Sequence, residues 1–452
     1  MVILLAVVII SACQKEKFTN SPDARLSFSI DTLVFDTVFV TVGSATRNFK
    51  VKNPNSESVR ISSIGLAGGP GSFFRINIDG HAVTELTDYE LAAGDSMFVF
   101  VEVTIDPNTQ ALPFIVSDSI IFVTNTNVQK VQLAAYGQNA NFHNAELLPC
   151  DAIWKSDLPH VIFNSVLVPP GCKLTIEAGA KIYSHSGSGI FVQGMLEVNG
   201  AAGDPVIFRG DRLEHLYDKE PGQWYGIRLL PKSEGNIIRH AEIRNAVVGI
   251  QADSLPVTSG SKNLIIEKSR ISYMSSVGLI GYTATIEARN ILIHSCGLFL
   301  FVGDLGGSYT FEHCTFENGQ SLFAQKYPCV TLTNTDYKNG SEFIINPLSY
   351  TFRNCIIWGS LENEIDVQKK GQGLVTSVFS SNIVRTTKDE FKAGNIANTD
   401  PRFLDVSKAD YHLKDGSPAI NNGEALLPPV TDDLENNPRT DTKPDIGCYE
   451  KQ

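Results

Sequence analysis

Four side chains able to grip a sugar or move a proton fall at one position of a short recurring pattern: His294, Glu317, Lys338 and Trp358. If the copies stack as adjacent windings at a strand spacing of ~4.8 Å, an imidazole, a carboxylate, an ammonium and an indole share a strip ~15 Å long. Such a strip can bind a sugar through hydrogen bonds and stacking on the indole, or do acid-base work through the imidazole and carboxylate. The same residues also suit a solvated face with one half-buried Trp, because mixed charge on an outward β-face is common. Which of these holds depends on the elements beneath them.

The pattern has six copies, at 240–244, 268–272, 290–294, 313–317, 334–338 and 354–358, with starts spaced 28, 22, 23, 21 and 20 residues. Second and fourth positions are apolar or small and the others mostly polar, the alternation of a strand with one buried face. A unit of roughly 20–25 residues cannot bury that face alone, so the copies must stack into a solenoid. This predicts a parallel β-helix. Outward third positions then run Glu242, Arg270, Leu292, Thr315, Asp336 and Ile356, and outward fifth positions begin with Arg244 and Ser272 before the four residues above. Neither column groups the two or three carboxylates that calcium needs, so no metal is expected. Glu242 with Glu267, or Glu317 with Asp336, pair carboxylates only at chance level for glycoside hydrolysis. Arg244 and Arg270 beside Glu242 read as a surface ion-pair network. Cys314 and Cys355 sit at inward positions as small hydrophobes, and the Asn at 290, 334 and 354 suits tight corners.

Upstream, residues 26–140 alternate short strands with turns. In 98–105 the odd positions are all β-branched, one core face of a predicted β-sandwich. Glycine-punctuated strands at 174–182 and 189–198 open the β-helix, which is expected over 144–398 with ten or eleven windings and a length on the order of 50 Å. Trp224 reads as packing at a corner. Residues 399–452 read as a terminal cap, since the last winding would otherwise show open backbone and apolar cross-section to water. Within them, 432–437 superficially suggests a calcium loop, but Pro438 stands where its glycine belongs, and a surface turn fits better.

The 452 residues carry 37 basic and 49 acidic side chains, a net charge of -12. That balance repels polyphosphate and excludes nucleic acid as a partner. No G-x-S-x-G, H-E-x-x-H, P-loop or G-x-G-x-x-G motif occurs, which removes the sequence warrant for serine-hydrolase, zincin and nucleotide chemistry, and no cofactor is expected. Eight cysteines include no C-x-x-C, and seven remain beyond Cys13, so a complete disulfide framework is not expected. The apolar run 2–12 is too short to span a bilayer and fits an export signal, followed by a polar tether over 13–25.

Several phrases carry resemblances. Ile10-Ser11-Ala12-Cys13 resembles a bacterial lipoprotein signal, with Cys13 as the lipidated residue, and Gln14-Lys15-Glu16-Lys17 resembles the export tag of some Bacteroidetes lipoproteins. Phe35-Asp36-Thr37-Val38-Phe39 and Leu133-Ala134-Ala135-Tyr136-Gly137 resemble immunoglobulin-like domains that precede bacterial β-helices. The glycine-turn strands and Gln223-Trp224-Tyr225-Gly226 resemble right-handed β-helices of the pectin-lyase-like superfamily over roughly 150–400. Enzymes of that superfamily act on acidic polysaccharides with Asp-bound calcium and an Arg or Lys base. Asp400-Pro401-Arg402-Phe403, Gly416-Ser417-Pro418-Ala419-Ile420 and Pro444-Asp445-Ile446-Gly447-Cys448 resemble the choice-of-anchor Q element of bacterial surface proteins. These resemblances imply an all-β protein, an immunoglobulin-like β-sandwich followed by a right-handed parallel β-helix. It would be held at the outer membrane through Cys13, surface-exposed, and non-catalytic, with a polysaccharide as its partner. The alternatives are a polysaccharide lyase or glycoside hydrolase whose site comes from inserts such as 209–222 or 254–262, and a structural spacer. The oligomeric state is left open.

Overall fold

The computed structural model describes residues 17–107, 113–254, 261–319, 324–335, 345–370, 374–440 and 443–452. Cys13 and Lys338 lie outside the described residues. The protein is all-β and divides into two compact units, one ending at Asn139 and the other spanning Ala140–Gln452.

In the first unit two five-stranded sheets share one core. The alternation in Ser96–Val103 decides its facing: Met97, Val99, Val101 and Val103 are buried while Phe98 and Phe100 turn outward. That strand pairs antiparallel with Arg47–Lys52 and Phe74–Ile78. In the other sheet Asn127–Gln138 pairs antiparallel with Phe114–Thr124 and parallel with Thr32–Phe39. Val99, Val101, Val51, Ile61, Ile120 and Phe122 meet in the single core.

The second unit is built of large parallel sheets wound as a β-helix. A nine-stranded ladder and an 18-stranded sheet run through it. One winding shows the plan: Thr285–Arg289, Leu292–His294 and Phe299–Asp304, each hydrogen-bonded to its counterpart in the next winding at Gly307–Glu312, Thr315–Glu317 and Val330–Thr333. Inward positions are sealed, with Ile271, Ile293, Cys314, Phe316, Cys355 and Ile357 all 0% exposed. Each such side chain contributes ~1.5–3 kcal/mol of burial.

The first position of each copy is a corner that turns in the left-handed region: φ is 45° at His240, 47° at Lys268, 49° at Asn290, 52° at His313 and 54° at Asn354. Asn tolerates that region better than branched or bulky residues, which explains its recurrence. Asn334 is not among the left-handed residues, and no winding begins there. Glu312 is followed in the ladder by Arg353, and Glu317 pairs directly with Trp358. Asn334 therefore lies between windings, and the column that carries the other copies stacks eleven strands from Asn141–Leu147 to Ile396–Ala397, in line with the ten or eleven windings predicted. The fifth copy's strand-like alternation is real, but spacing alone cannot tell a winding from an excursion of the same length.

Cys150 and Cys172 form a disulfide joining the first two windings, and the five other described cysteines are buried and outside any disulfide. At the far end Phe391 enters the core and packs edge-on against Phe379, 5.1 Å between centroids. It closes the last winding. The C-terminal segment does something different from the predicted cap: it lies along the side of the windings. Phe403, Tyr411, Leu434, Ile446 and Cys448 form a second core with Leu292, Ile356 and Ile383, which are outward residues of the helix. Lys268 and Arg270 at one end of this strap pair with Asp432 and Glu435, and Asn354 at the other exchanges hydrogen bonds with the backbone of Glu424. Within the strap, 432–437 is a turn as expected, closed by the Asn436 amide on the Asp433 carbonyl at 3.2 Å with Glu435 exposed, but its base is built into the core. Asp433 is 0% exposed and its carboxylate accepts from the amides of Glu435, Asn437 and Glu450.

Candidate functional site

The fifth-position column exists as a continuous register of rungs. Tyr183 pairs with Arg209, Arg244 with Ser272, Ser272 with His294, His294 with Glu317 and Glu317 with Trp358. Three of the four predicted residues are thus brought together, and Lys338 is not among the described residues. The strap roofs two of the three. His294 is 5% and Glu317 3% exposed. The His294 ring lies 5.0 Å from Tyr411 and edge-on to Tyr273 at 5.4 Å, with Nδ1 3.0 Å from Ser295 Oγ. Burial, then the charges of Arg270 and Lys219, hold its basicity down to about 3, so the ring is neutral. Glu317 accepts from the Gly319 amide at 2.8 Å through Oε1, while Oε2 has no hydrogen-bond partner among the described residues. Burial lifts its carboxyl to about 7, and the nearby Tyr411 hydroxyl opposes this only in part. Trp358 is half-buried with the Arg385 guanidinium 5.6 Å from its ring. A ligand cannot lie on His294 and Glu317 while the strap is seated.

The open part of the column lies earlier. Arg209, only 7% exposed, reaches Asp218 at 3.1 Å and donates to the carbonyl of Arg212 at 3.0 Å. Arg244 stands on the next rung and makes no ion pair among the described residues, contrary to the ion-pair network predicted for it. Its Nε is buried without a hydrogen-bond partner, as is Nε of Arg209. Two like charges thus stand on neighbouring rungs, the buried Arg209 paired with Asp218 and the half-buried Arg244 with no carboxylate partner among the described residues. Burial and the Arg244 charge depress the Arg209 guanidinium accordingly. Tyr183 and Tyr273 flank the pair, and burial raises both phenols against the pull of Arg244.

The insert after Arg209 forms one wall. Asn245 donates to the carbonyls of Asp218 and Glu220 at 3.1 and 2.9 Å, and Gln223 donates to those of Tyr217 and Glu220 at 2.8 Å, pinning the loop to the winding. Trp224 fixes the corner by donating to the Arg244 carbonyl at 2.9 Å. A separate cavity of about 320 Å³, lined by none of these strip residues, opens beside the strap between Glu242, Lys268, Arg270 and Glu435. Arg244 was legible as an outward residue. Tyr183 and Arg209 were missed because their windings lack the corner signature and because Ile207-Phe208-Arg209 breaks the polar-apolar alternation that Lys181-Ile182-Tyr183 keeps. Among the described residues no group of three or more His, Cys, Asp and Glu side chains is arranged to hold a metal ion.

The fold and the site together define an all-β protein of the parallel β-helix kind with a cationic, tyrosine-flanked strip on an outer face. No protein-family model matches the chain, and no curated protein matches it. Its structural neighbours include glycoside hydrolases. The catalytic unit of a thermostable GH87 α-1,3-glucanase from Streptomyces thermodiastaticus is similar over 74% of this chain and 66% of that one, at 13% identity and a TM-score of 0.34. A family 123 glycoside hydrolase from Clostridium perfringens is similar over 27% of this chain and 30% of its own length, at 9% identity and a TM-score of 0.20. The chain thus spans less than a third of that hydrolase. A PapD-like domain of human CEP192 is matched over 99% of its length and 31% of this chain, at 11% identity and a TM-score of 0.20. With TM-scores of 0.34 and below, these likenesses say nothing about chemistry.

Proposed function

We propose that this protein is a non-catalytic cell-envelope module that binds an acidic glycan on the strip Tyr183–Arg209–Arg244–Tyr273. In this reading Cys13 carries a lipid anchor to the outer membrane, the first unit is an immunoglobulin-like spacer, and the second is a right-handed β-helix presented at the cell surface. The observation that carries it is the buried Nε of Arg244, without a hydrogen-bond partner among the described residues, beside the buried Arg209 guanidinium. A planar guanidinium is suited to bidentate recognition of a carboxylate or sulfate, and flanking tyrosines offer sugar rings an apolar face with a polar edge. Against catalysis stand the neutral His294 and the roofed Glu317, which leave the strip without an open acid-base pair.

A glycan array comparing uronate-bearing, sulfated and neutral chains tests the reading. Saturable binding to acidic glycans, weakened by salt and reduced roughly ten- to 100-fold in Arg244→Ala, is the expected result. Binding that ignores glycan charge or survives the substitution sinks it. Release of unsaturated uronides would make the protein a lyase, and silence in both assays would leave a structural spacer.

A further inference from the structure

On the first winding of the second unit, Asn141–Leu147 pairs in parallel with His160–Val168 and sets two histidines face to face. His143 Nδ1 lies 2.6 Å from Glu146 Oε2, His143 Nε2 lies 3.0 Å from His160 Nδ1, and His160 Nε2 lies 3.2 Å from the Lys155 carbonyl oxygen. The Trp154 indole covers both rings at 4.6 and 4.7 Å. These groups line a cavity of about 490 Å³, where Lys155 and Asp157 are the remaining charged side chains facing the pair.

The outer acceptors, a carboxylate and a carbonyl, each demand an N–H. His143 must therefore carry a proton on Nδ1 and His160 one on Nε2. Were both rings neutral, His143 Nε2 and His160 Nδ1 would oppose lone pair to lone pair across 3.0 Å. One further proton in that gap completes all three hydrogen bonds. A metal ion does not fit there: the ring centroids are 5.3 Å apart with planes 12° from parallel, so both nitrogens lie close to the line between the rings. An ion midway would be about 1.5 Å from each nitrogen, well inside the ~2.0 Å of a zinc–imidazole bond.

We propose that Glu146, His143 and His160 form a proton-operated clasp that fastens the first winding in mild acid and loosens it in alkali. Burial, then the neighbouring charge of His143, holds His160 down to about 4, so His160 remains the acceptor in the gap. Asp157 pulls the other way and Lys155 contributes its carbonyl. The sign follows from linkage. Two neutral rings cannot close the gap, so the clasp is fastened where one ring of the pair carries the extra proton and is lost as pH rises and that proton leaves. Below about 4 a second proton on His160 sets N–H against N–H, and the clasp opens again.

The full chain labelled with ring-¹⁵N histidine is the material for the test. At pH 5.5 two ring nitrogens should show a coupling across a hydrogen bond, and at pH 8.5 that coupling should be gone. Amide exchange in Asn141–Leu147, corrected for intrinsic base catalysis, should be about tenfold or more faster at pH 8.5. His160→Gln should flatten this pH dependence. A wild-type protein without the coupling at pH 5.5 overturns the proposal whatever the variant does. So does zinc that binds stoichiometrically and shifts both rings, or the same pH dependence of exchange with and without His160.

Discussion

At the scale of single residues the strongest constraints are buried charges with unequal provision. Glu317 is the poorly provided one, with Oε2 unpartnered and the carboxyl lifted from an ordinary 4.5 to about 7. A folded-state pKa above the unfolded one means that the protonated form is favoured. Stability is therefore greatest below pH 4.5, falls as pH rises toward 7, and is level beyond. Over that window the loss is about 3 kcal/mol at most. Glu317→Gln keeps an acceptor for the Gly319 amide and should abolish this part of the pH dependence, raising the melting temperature at pH 8 relative to wild type. Equal slopes for both proteins between pH 4.5 and 7 would show that Glu317 is solvated. Arg439 is well provided. Its side chain is 1% exposed, and it meets Glu450 at 2.5 Å and donates to Asn290 and to the Gly447 carbonyl at 3.1 and 2.9 Å. Arg439→Ala strands the Glu450 carboxylate and should cost ~3–5 kcal/mol, measured by denaturant titration.

At the scale of elements the alternation within a strand says which side chains face the helix interior, but the strap changes what facing outward means. Third-position residues change along the column from Lys181 and Glu242 to Leu292, Thr315 and Ile356. Lys181 is exposed, whereas Thr315 is 1% exposed and accepts from the Cys448 amide at 3.1 Å. A carboxylate introduced at Ile293, inside, or at Thr315, beneath the strap, should therefore lower the melting temperature in both cases, by several kcal/mol in stability. Lys181→Asp, on the same column, should be nearly silent. A silent Thr315→Asp would mean that the strap lifts readily. An outward position such as Thr315 would be silent only if the outward face were wet. The appearance of Leu and Ile at outward positions was the available sign that something covers them.

At the scale of the whole chain, two devices finish what the repeats begin. Phe391 closes the end of the core, and the strap closes its side. Removing 399–452 should bare an apolar ribbon of Leu292, Ile356 and Ile383 and release His294 and Glu317 to solvent. Binding of a hydrophobic dye and loss of the raised Glu317 titration should appear together. Dye binding that stays at the wild-type level would mean that the windings are self-sufficient.

The amino-acid order by itself determined the all-β character, the parallel windings, the inward residues and the corners at Asn290 and Asn354, because each follows from local alternation and the conformational tolerance of a single residue. Tertiary structure alone decided that no winding begins at Asn334, that the C-terminal segment runs along the flank, and that Arg244 has no ion-pair partner among the described residues while His294 and Glu317 lie under a roof. Those outcomes depend on contacts between residues more than a hundred positions apart, such as Lys268 with Asp432 and Thr315 with Cys448. A periodic pattern fixes which face is which, and only the packed chain fixes what lies against it.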